Sequence, residues 1–368
     1  MSKKNKEADS AAKIEREITV VPDSEAWTYH VDGLKAPVIG VPVKNAKIKK
    51  VTVVIVLLVA ISLSMLFSIR AIHSDIYNYE ELENGWEFVK FSNPGTVTEL
   101  SIDYAFGEKD KPITEVHEYA LNCDDKIVTI NIGKDVEKID GKSFYSVWNL
   151  QNIFVDEENE YYRDLDGVLY NKDLTEVICY PIDHDAYLRS KAGYEEELWP
   201  DNDKYDEAYE QAVRTYKLPE TVTKVGDLAF NYANLVTVYL PEGLKSIGTL
   251  SFFKATSLEN IITYKGEETY VSLPEGLEKI GSDAFSYNQA MEYMFIPSSV
   301  KEIGHHAFWD TVYKKSGELK GISVMNVAVS EEEFNSSVNA GDHWIPNYDY
   351  NLFKKNIEIN YSCEREAG

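Results

Sequence analysis

The chain has 368 residues, 44% of them hydrophobic and 27% charged, enough for two or three folded domains and not the composition of a wholly disordered protein. Lys and Arg total 37 against 62 Asp and Glu, a formal charge of −25; so acidic a surface repels phosphate backbones and argues against nucleic acid as a partner. The three cysteines are too few for a disulfide-dense scaffold and have no zinc spacing.

Residues 1–50 begin with a stretch rich in Lys, Glu, Ser and Ala and read as a largely disordered cytoplasmic tail. Within it, EAWTYHVDGLKAPVIGVPVK is less polar and is a candidate docking motif. Next comes VTVVIVLLVAISLSMLFSI, residues 51–69, without a single charge. As a helix it would reach roughly 28 Å, the thickness of a bilayer's hydrocarbon core. Lys44, Lys47, Lys49 and Lys50 precede it, while Arg70 is followed by Asp75, Glu80, Glu81 and Glu83. The positive-inside rule then puts the tail in the cytoplasm and the bulk of the chain outside. The alternative is a cleaved signal peptide, but that would have an apolar core of about 7–15 residues after a short basic start. The expectation is a single-pass cell-membrane protein anchored by a transmembrane helix at 51–70, with a juxtamembrane linker at 71–96.

Beyond the linker the chain repeats itself. LPETVTKVGDLAFNYANLVTVYL, LPEGLKSIGTLSFFKATSLENII, LPEGLEKIGSDAFSYNQAMEYMFI and IPSSVKEIGHHAFWD align with prolines at 219, 241, 274 and 297. Gly226, Gly248, Gly281 and Gly304 keep the same steps of 22, 33 and 23 residues, as do Phe230, Phe252, Phe285 and Phe308. Three residue types holding one register mark a structural repeat. Weaker copies precede them, with Val116 and Ile139 23 residues apart and Leu121 and Phe144 likewise, while His117 and Asp140 stand where glycine appears later. Each unit reads as a strand of alternating apolar residues ended by proline. The glycines are expected to turn the chain through a backbone conformation closed to bulkier residues. Ile139, Val225, Ile247, Ile280 and Ile303, with Phe144 and the four later phenylalanines, are the expected repeat core. An interval of about 22 residues leaves little room for the crossover helix of a parallel α/β unit. The fold class is therefore a mainly β solenoid of 22–23-residue coils over 97–310, with closing units at 311–368.

These units resemble the BspA-type leucine-rich repeat, whose pattern runs I-P-x-x-V-x-x-I-G-x-x-A-F; IPSSVKEIGHHAF matches it almost letter for letter. IFVDEENEYYRDLDGVLYNKDLTEVICYP, residues 153–181, looks like the longer β-hairpin variant, with DGVLYN at its turn. The resemblance covers about 97–361. It implies a surface-displayed bacterial protein with an adhesive or unassigned role, and no particular ligand.

One stretch departs from the repeat. An insertion at 182–217 places Tyr205, Ala208, Tyr209, Ala212, Val213 and Tyr216 at helical spacing behind Asp203, predicting one inserted amphipathic helix. Nine tyrosines fall between 161 and 216. They either cover the solenoid's flank or form a contact patch, for which Tyr187, Tyr194, Trp199, Tyr205 and Tyr209 are the candidates.

Motifs for catalysis are missing: no G-x-S-x-G, H-E-x-x-H, Walker loop or G-x-G-x-x-G follows a strand. Adjacent His305 and His306 would diverge on a strand or a helix, so neither pairing makes a metal site. Asp201, Asp203, Asp206 and Glu207 lack the glycine and terminal Glu of a calcium loop. Cys123, Cys179 and Cys363 allow three different single bridges, with an inert core thiol expected at Cys123. No cofactor, metal or catalytic residue is assigned. The expected function is a non-enzymatic surface module binding a protein or glycan; the alternative is a sensor or assembly component that couples an outside partner to a cytoplasmic one through the tail.

Overall fold

A computed structural model of the chain describes residues 76–93, 95–121, 124–191, 212–309, 311–315, 318–341, 344 and 358–365. The expected cytoplasmic tail and membrane span lie outside these residues, as do Cys123, Tyr194, Trp199, Tyr205, Tyr209 and the acidic cluster Asp201, Asp203, Asp206 and Glu207. Among the described residues no helix is long and apolar enough to cross a membrane.

From Glu99 onward the chain winds in coils, each with two strand positions and a turn between them. One strand position is long: Glu99–Ile102, Thr129–Ile132 and Asn152–Val155 pair in parallel, as do Thr215–Lys217, Thr237–Pro241 and Asn260–Lys265 farther on. Tyr293–Ile296, Val324–Val327 and Glu358–Asn360 form a third set. The other position is only two residues wide. Lys224–Val225, Ser246–Ile247, Lys279–Ile280, Glu302–Ile303 and Asn339–Ala340 stack in parallel, so Val225, Ile247, Ile280 and Ile303 share one buried register. Parallel strands lie about 4.8 Å apart, and that spacing is imposed on every equivalent side chain. Phe230, Phe252, Phe285 and Phe308, all fully buried, stack at ring-centroid distances of 4.9, 5.2 and 5.3 Å with planes 3–4° apart. Those distances fall in the range of favourable aromatic pairs, and the backbone register fixes the parallel orientation.

The repeat glycines act otherwise than expected. Gly226, Gly248, Gly281 and Gly304 are absent from the residues with positive φ, which are instead Leu228, Leu250, Asp283 and His306, two places later. What the glycines allow is contact between coils. A Cβ on Gly281 would sit 2.5 Å from the Gly248 carbonyl carbon, and one on Gly304 would sit 2.5 Å from that of Gly281. Gly341 extends the row against Gly304 at 2.9 Å, so one more coil lies inside the closing region. In that coil the helix Glu331–Ser337, capped by Ser330, occupies the bend between the two strand positions, and Trp344 follows Phe308 at 6.5 Å.

Two further expectations are corrected. The linker at 71–96 contains a hairpin, Tyr77–Leu82 and Gly85–Phe91, whose second strand pairs in parallel with Ile113–Val116. Its Phe88 and Phe91 are both buried in the first core; three places apart, they reach one face because the pairing skips Val89, with Asn78 opposite Lys90 and Tyr79 opposite Phe88. The inserted helix predicted to run to Tyr216 stops short of it: Ala212 and Val213 are helical, Tyr216 lies in the strand Thr215–Lys217, and a further helix spans His184–Lys191, while 203–211 lie outside the described residues. Pairing of Thr215–Lys217 with Thr237–Pro241 outweighs the helical spacing of its aromatic residues. The 33-residue step comes from an antiparallel excursion, Asn260–Lys265 with Glu268–Tyr270, turning at Gly266 with φ +62°.

The core is in two parts. One runs from Phe88 to Cys179 and the other from Val168 to Phe334. Between them stands the hairpin Tyr162–Leu165, Val168–Asn171 and Glu176–Cys179. Its tight turn is Asp166-Gly167, both with positive φ, the geometry that Asp-Gly favours in two-residue hairpins. Leu169 and Ile178 face the first core, while Val168, Tyr170 and Val177 face the second. It is a partition buried on both sides.

Candidate binding surface

The insertion begins on a buried polar base. His184 and Asp185 are 1% and 3% exposed. Asp185 pairs with Arg189 at 2.8 Å and accepts a hydrogen bond from the Asn234 amide at 2.9 Å. The His184 ring lies 2.7 Å from the Gln151 carbonyl through Nδ1 and edge-on to Tyr180 at 5.0 Å. Burial lowers its pKa. Tyr170 and Tyr216 share a 2.5 Å hydrogen bond, and burial pushes both phenols up. Of the five contact candidates expected from sequence, Tyr187 alone is described. Half-buried, it lies tilted against His184 at 5.5 Å with the Lys191 ammonium 5.6 Å from its ring.

A second group of aromatic residues does not stand out in the sequence. The turn that carries each core phenylalanine also carries an outward ring one, two or four places later: Tyr145, Trp148, Tyr232, Phe253, Tyr287 and Trp309. Trp148 meets Tyr232 at 4.7 Å, Tyr232 meets Phe253 at 5.9 Å and Phe253 meets Tyr287 at 5.5 Å, with planes at 78°, 85° and 83°. Trp148 is 39% exposed and Tyr119, edge-on to Tyr145, 46%. This row crosses from the first core's coils to the second's. Backbone bonds between coils hold it: Tyr232 N donates to Phe253 O at 2.9 Å, Lys254 N to Ser286 O at 2.9 Å and Tyr287 N to Trp309 O at 2.8 Å. These three donors have φ of 59°, 56° and 64°, a costly conformation for non-glycine residues that the repeated bonds offset. A recurring aromatic just after each core Phe was the available signal.

The Lys254 ammonium sits 5.3 Å from the ring centroids of Tyr232 and Phe253 and 5.4 Å from that of Tyr287. It donates to the Tyr232 hydroxyl at 3.2 Å. That hydrogen bond, more than the ring charges around it, raises the lysine pKa.

A cleft of about 400 Å³ opens where the partition meets the coils on either side. Glu137, Asp140, Tyr161, Glu176, Lys224 and Asp227 line it. Its charges are largely engaged: Lys224 pairs with Glu176 at 2.8 Å, and Asp140 accepts from Lys142 N at 2.8 Å. Glu137 holds the Tyr161 phenol above its ordinary pKa. No group of His, Cys, Asp or Glu among the described residues is arranged to hold a metal. His306 lies against Trp309 at 4.4 Å and 4.0 Å from Asp283. Cys179 is a buried free thiol, its pKa raised by burial, and Cys363 is a half-buried one.

The family model for the BspA type leucine-rich repeat region matches in six copies, over residues 94–181, 206–313 and 263–338. The chain belongs to the BspA-type leucine-rich repeat family. Among solved structures it is similar to the pneumococcal vaccine antigen PcpA, at 20% identity over 72% of this chain and 62% of that one, with a TM-score of 0.43. It is also similar to a leucine-rich repeat protein from Eubacterium ventriosum, at 17% identity over 76% and 66%, TM-score 0.42. A leucine-rich cell surface protein from Faecalibacterium prausnitzii matches at 18% identity over 75% and 60%, TM-score 0.42. The chain spans less than two thirds of the length of each of these three. No curated protein matches its sequence.

Proposed function

We propose that this BspA-type repeat protein is a non-catalytic binding module, held at the outer face of the cell membrane by residues 51–70 and displaying its coils to a protein or glycan partner. The observation that carries the reading is the aromatic row from Trp148, which is exposed, through the half-buried Tyr232, Phe253 and Tyr287, held by backbone bonds between coils. Rings fixed this way give contact area at little cost in side-chain entropy. The apolar run 51–69 and its flanking lysines support the anchoring and its direction.

Two measurements test it. Protease added to intact cells that make the full chain should remove a C-terminal epitope and spare an N-terminal one; the reverse pattern rejects the orientation. The detergent-solubilised chain, applied to protein and glycan arrays, should capture a discrete set of partners. Hydrolysis of an arrayed compound, abolished by replacing one carboxylate, would reject the non-catalytic role.

A further inference from the structure

The aromatic row is the surface on which the proposed binding role rests, and its geometry narrows the partner. Successive rings stand at 78–85° to one another, so no common plane exists on which consecutive sugar rings could lie. What such a row does offer is a series of electron-rich faces turned in alternate directions, each able to receive a cation. One cation is already there: Lys254, within 5.4 Å of three ring centroids. Elsewhere the chain treats its own cations in the same way. Lys217 lies 4.0 Å from the Tyr264 centroid, and Arg365 lies 3.9 Å from that of Tyr270 while forming a two-pronged pair with Glu242 at 3.1 and 2.9 Å.

The acids nearest the row in sequence already hold cations of this chain: Glu118 pairs with Lys142 at 2.9 Å and Asp125 with Lys126 at 3.1 Å. The chain as a whole carries −25, so an anionic polymer or lipid surface is repelled and a cationic one drawn in. We propose that the row Trp148–Tyr232–Phe253–Tyr287 docks an extended polypeptide segment bearing lysine or arginine side chains, with Lys254 occupying in cis a place that a partner's cation takes in trans.

The test uses the full chain in detergent. The probes are a synthetic decapeptide of alternating Lys and Ser, its Glu-Ser counterpart and a soluble cello-oligosaccharide, titrated at two salt concentrations. The Lys-Ser peptide should bind and the Glu-Ser peptide should not. Trp148→Ala and Tyr287→Ala leave net charge unchanged and should each weaken binding about tenfold, as for a central aromatic contact. Lys254→Gln should strengthen it roughly twofold to fivefold by vacating the rings, an effect with the opposite sign to damage. Melting temperatures show whether each variant is folded; if Tyr287→Ala unfolds, the surface change Trp148→Ala decides the outcome.

Binding that both aromatic variants retain and that salt abolishes would mean bulk charge attraction alone and overturns the proposal. Capture of the oligosaccharide in place of the peptide, lost in Trp148→Ala, overturns the partner class. If the chain captures partners from an array yet Trp148→Ala changes none of them, the cationic-segment proposal fails while the binding-module reading stands.

Discussion

The two cores are built from the same coil and use aromatic residues differently. In the second, phenylalanines recur at one position and run as an internal axis from Phe230 to Phe308. In the first, the interior is chiefly Ile, Val and Leu, and aromatics collect at the open end. There Tyr77, Tyr79, Phe88 and Phe91 pack at 5.1–6.4 Å, with Trp86 edge-on to Phe106 at 5.5 Å. An axis needs identical residues at a fixed rise. A cap needs only bulk, since it covers one surface once. The glycine row marks the same contrast, for Asp140 stands in the first core where Gly226 and its successors stand in the second. In the second core the close approach falls at the same place in every coil; in the first it falls at Gly133 and Gly141, where a Cβ would run into backbone atoms of Asp103 and Asp227.

The largest expected effect breaks the axis. Phe252→Ala or Phe285→Ala should cost roughly 3–5 kcal/mol, read as a lower melting temperature. Faster hydrogen exchange should appear first in the amides of 215–308 and only then in those of 99–155. Equal losses in both would show that the partition hairpin welds the two cores into one cooperative unit, and an unchanged melting temperature would contradict the burial of the axis.

Gly281→Ala comes next. Its Cβ meets backbone atoms of Gly248 and Thr249 at 2.5 Å, and backbone cannot rotate aside, so a cost of about 1–3 kcal/mol is expected. In the first core the equivalent change, Asp140→Ala, removes only a cap on Lys142 N, worth about 1 kcal/mol. Denaturant titration of the pair separates the two kinds of position; equal effects would remove the distinction between them.

Arg365→Ala should destabilise by about 1 kcal/mol, since its pair with Glu242 is partly solvent-screened. Loss of exchange protection confined to Glu358–Asn360 and its partner strand Val324–Val327 is the expected sign that the C-terminal segment acts as a local strap.

The smallest effect is on the buried base beside the partition. Burial depresses the His184 pKa, so below about pH 6.5 the unfolded chain takes up a proton that the folded chain refuses. Stability should therefore be level above that pH and decline below it, by at most about 1.4 kcal/mol per pH unit from this one group. His184→Gln should lessen the decline between about pH 6.5 and 5; an identical slope in the variant would assign the acid sensitivity to other groups.

Much of the second core could be read directly from the chain. Val225, Ile247, Ile280, Ile303 and the four phenylalanines hold one register, and a repeated register in sequence becomes a repeated position in space when coils stack. The hairpin of 153–181 was equally plain from Asp166-Gly167. The candidate surface was less visible. In the sequence the tyrosines of the insertion are the conspicuous cluster, whereas the aromatic row draws one or two residues from each of several coils. Such residues are far apart in the chain and adjacent only after winding.

Sequence alone determined the period, the apolar positions and the strand ends, because these depend on residues close together in the chain: proline cannot join a ladder, and alternating apolar side chains need one buried face. Tertiary structure decided the rest. It turned the repeat glycines into contacts between coils, drew Tyr216 from a helical pattern into a strand, made a partition of a hairpin and brought Trp148 against Tyr232. Each of these results from what a neighbouring coil places within a few ångströms, and no local stretch of sequence specifies its neighbour.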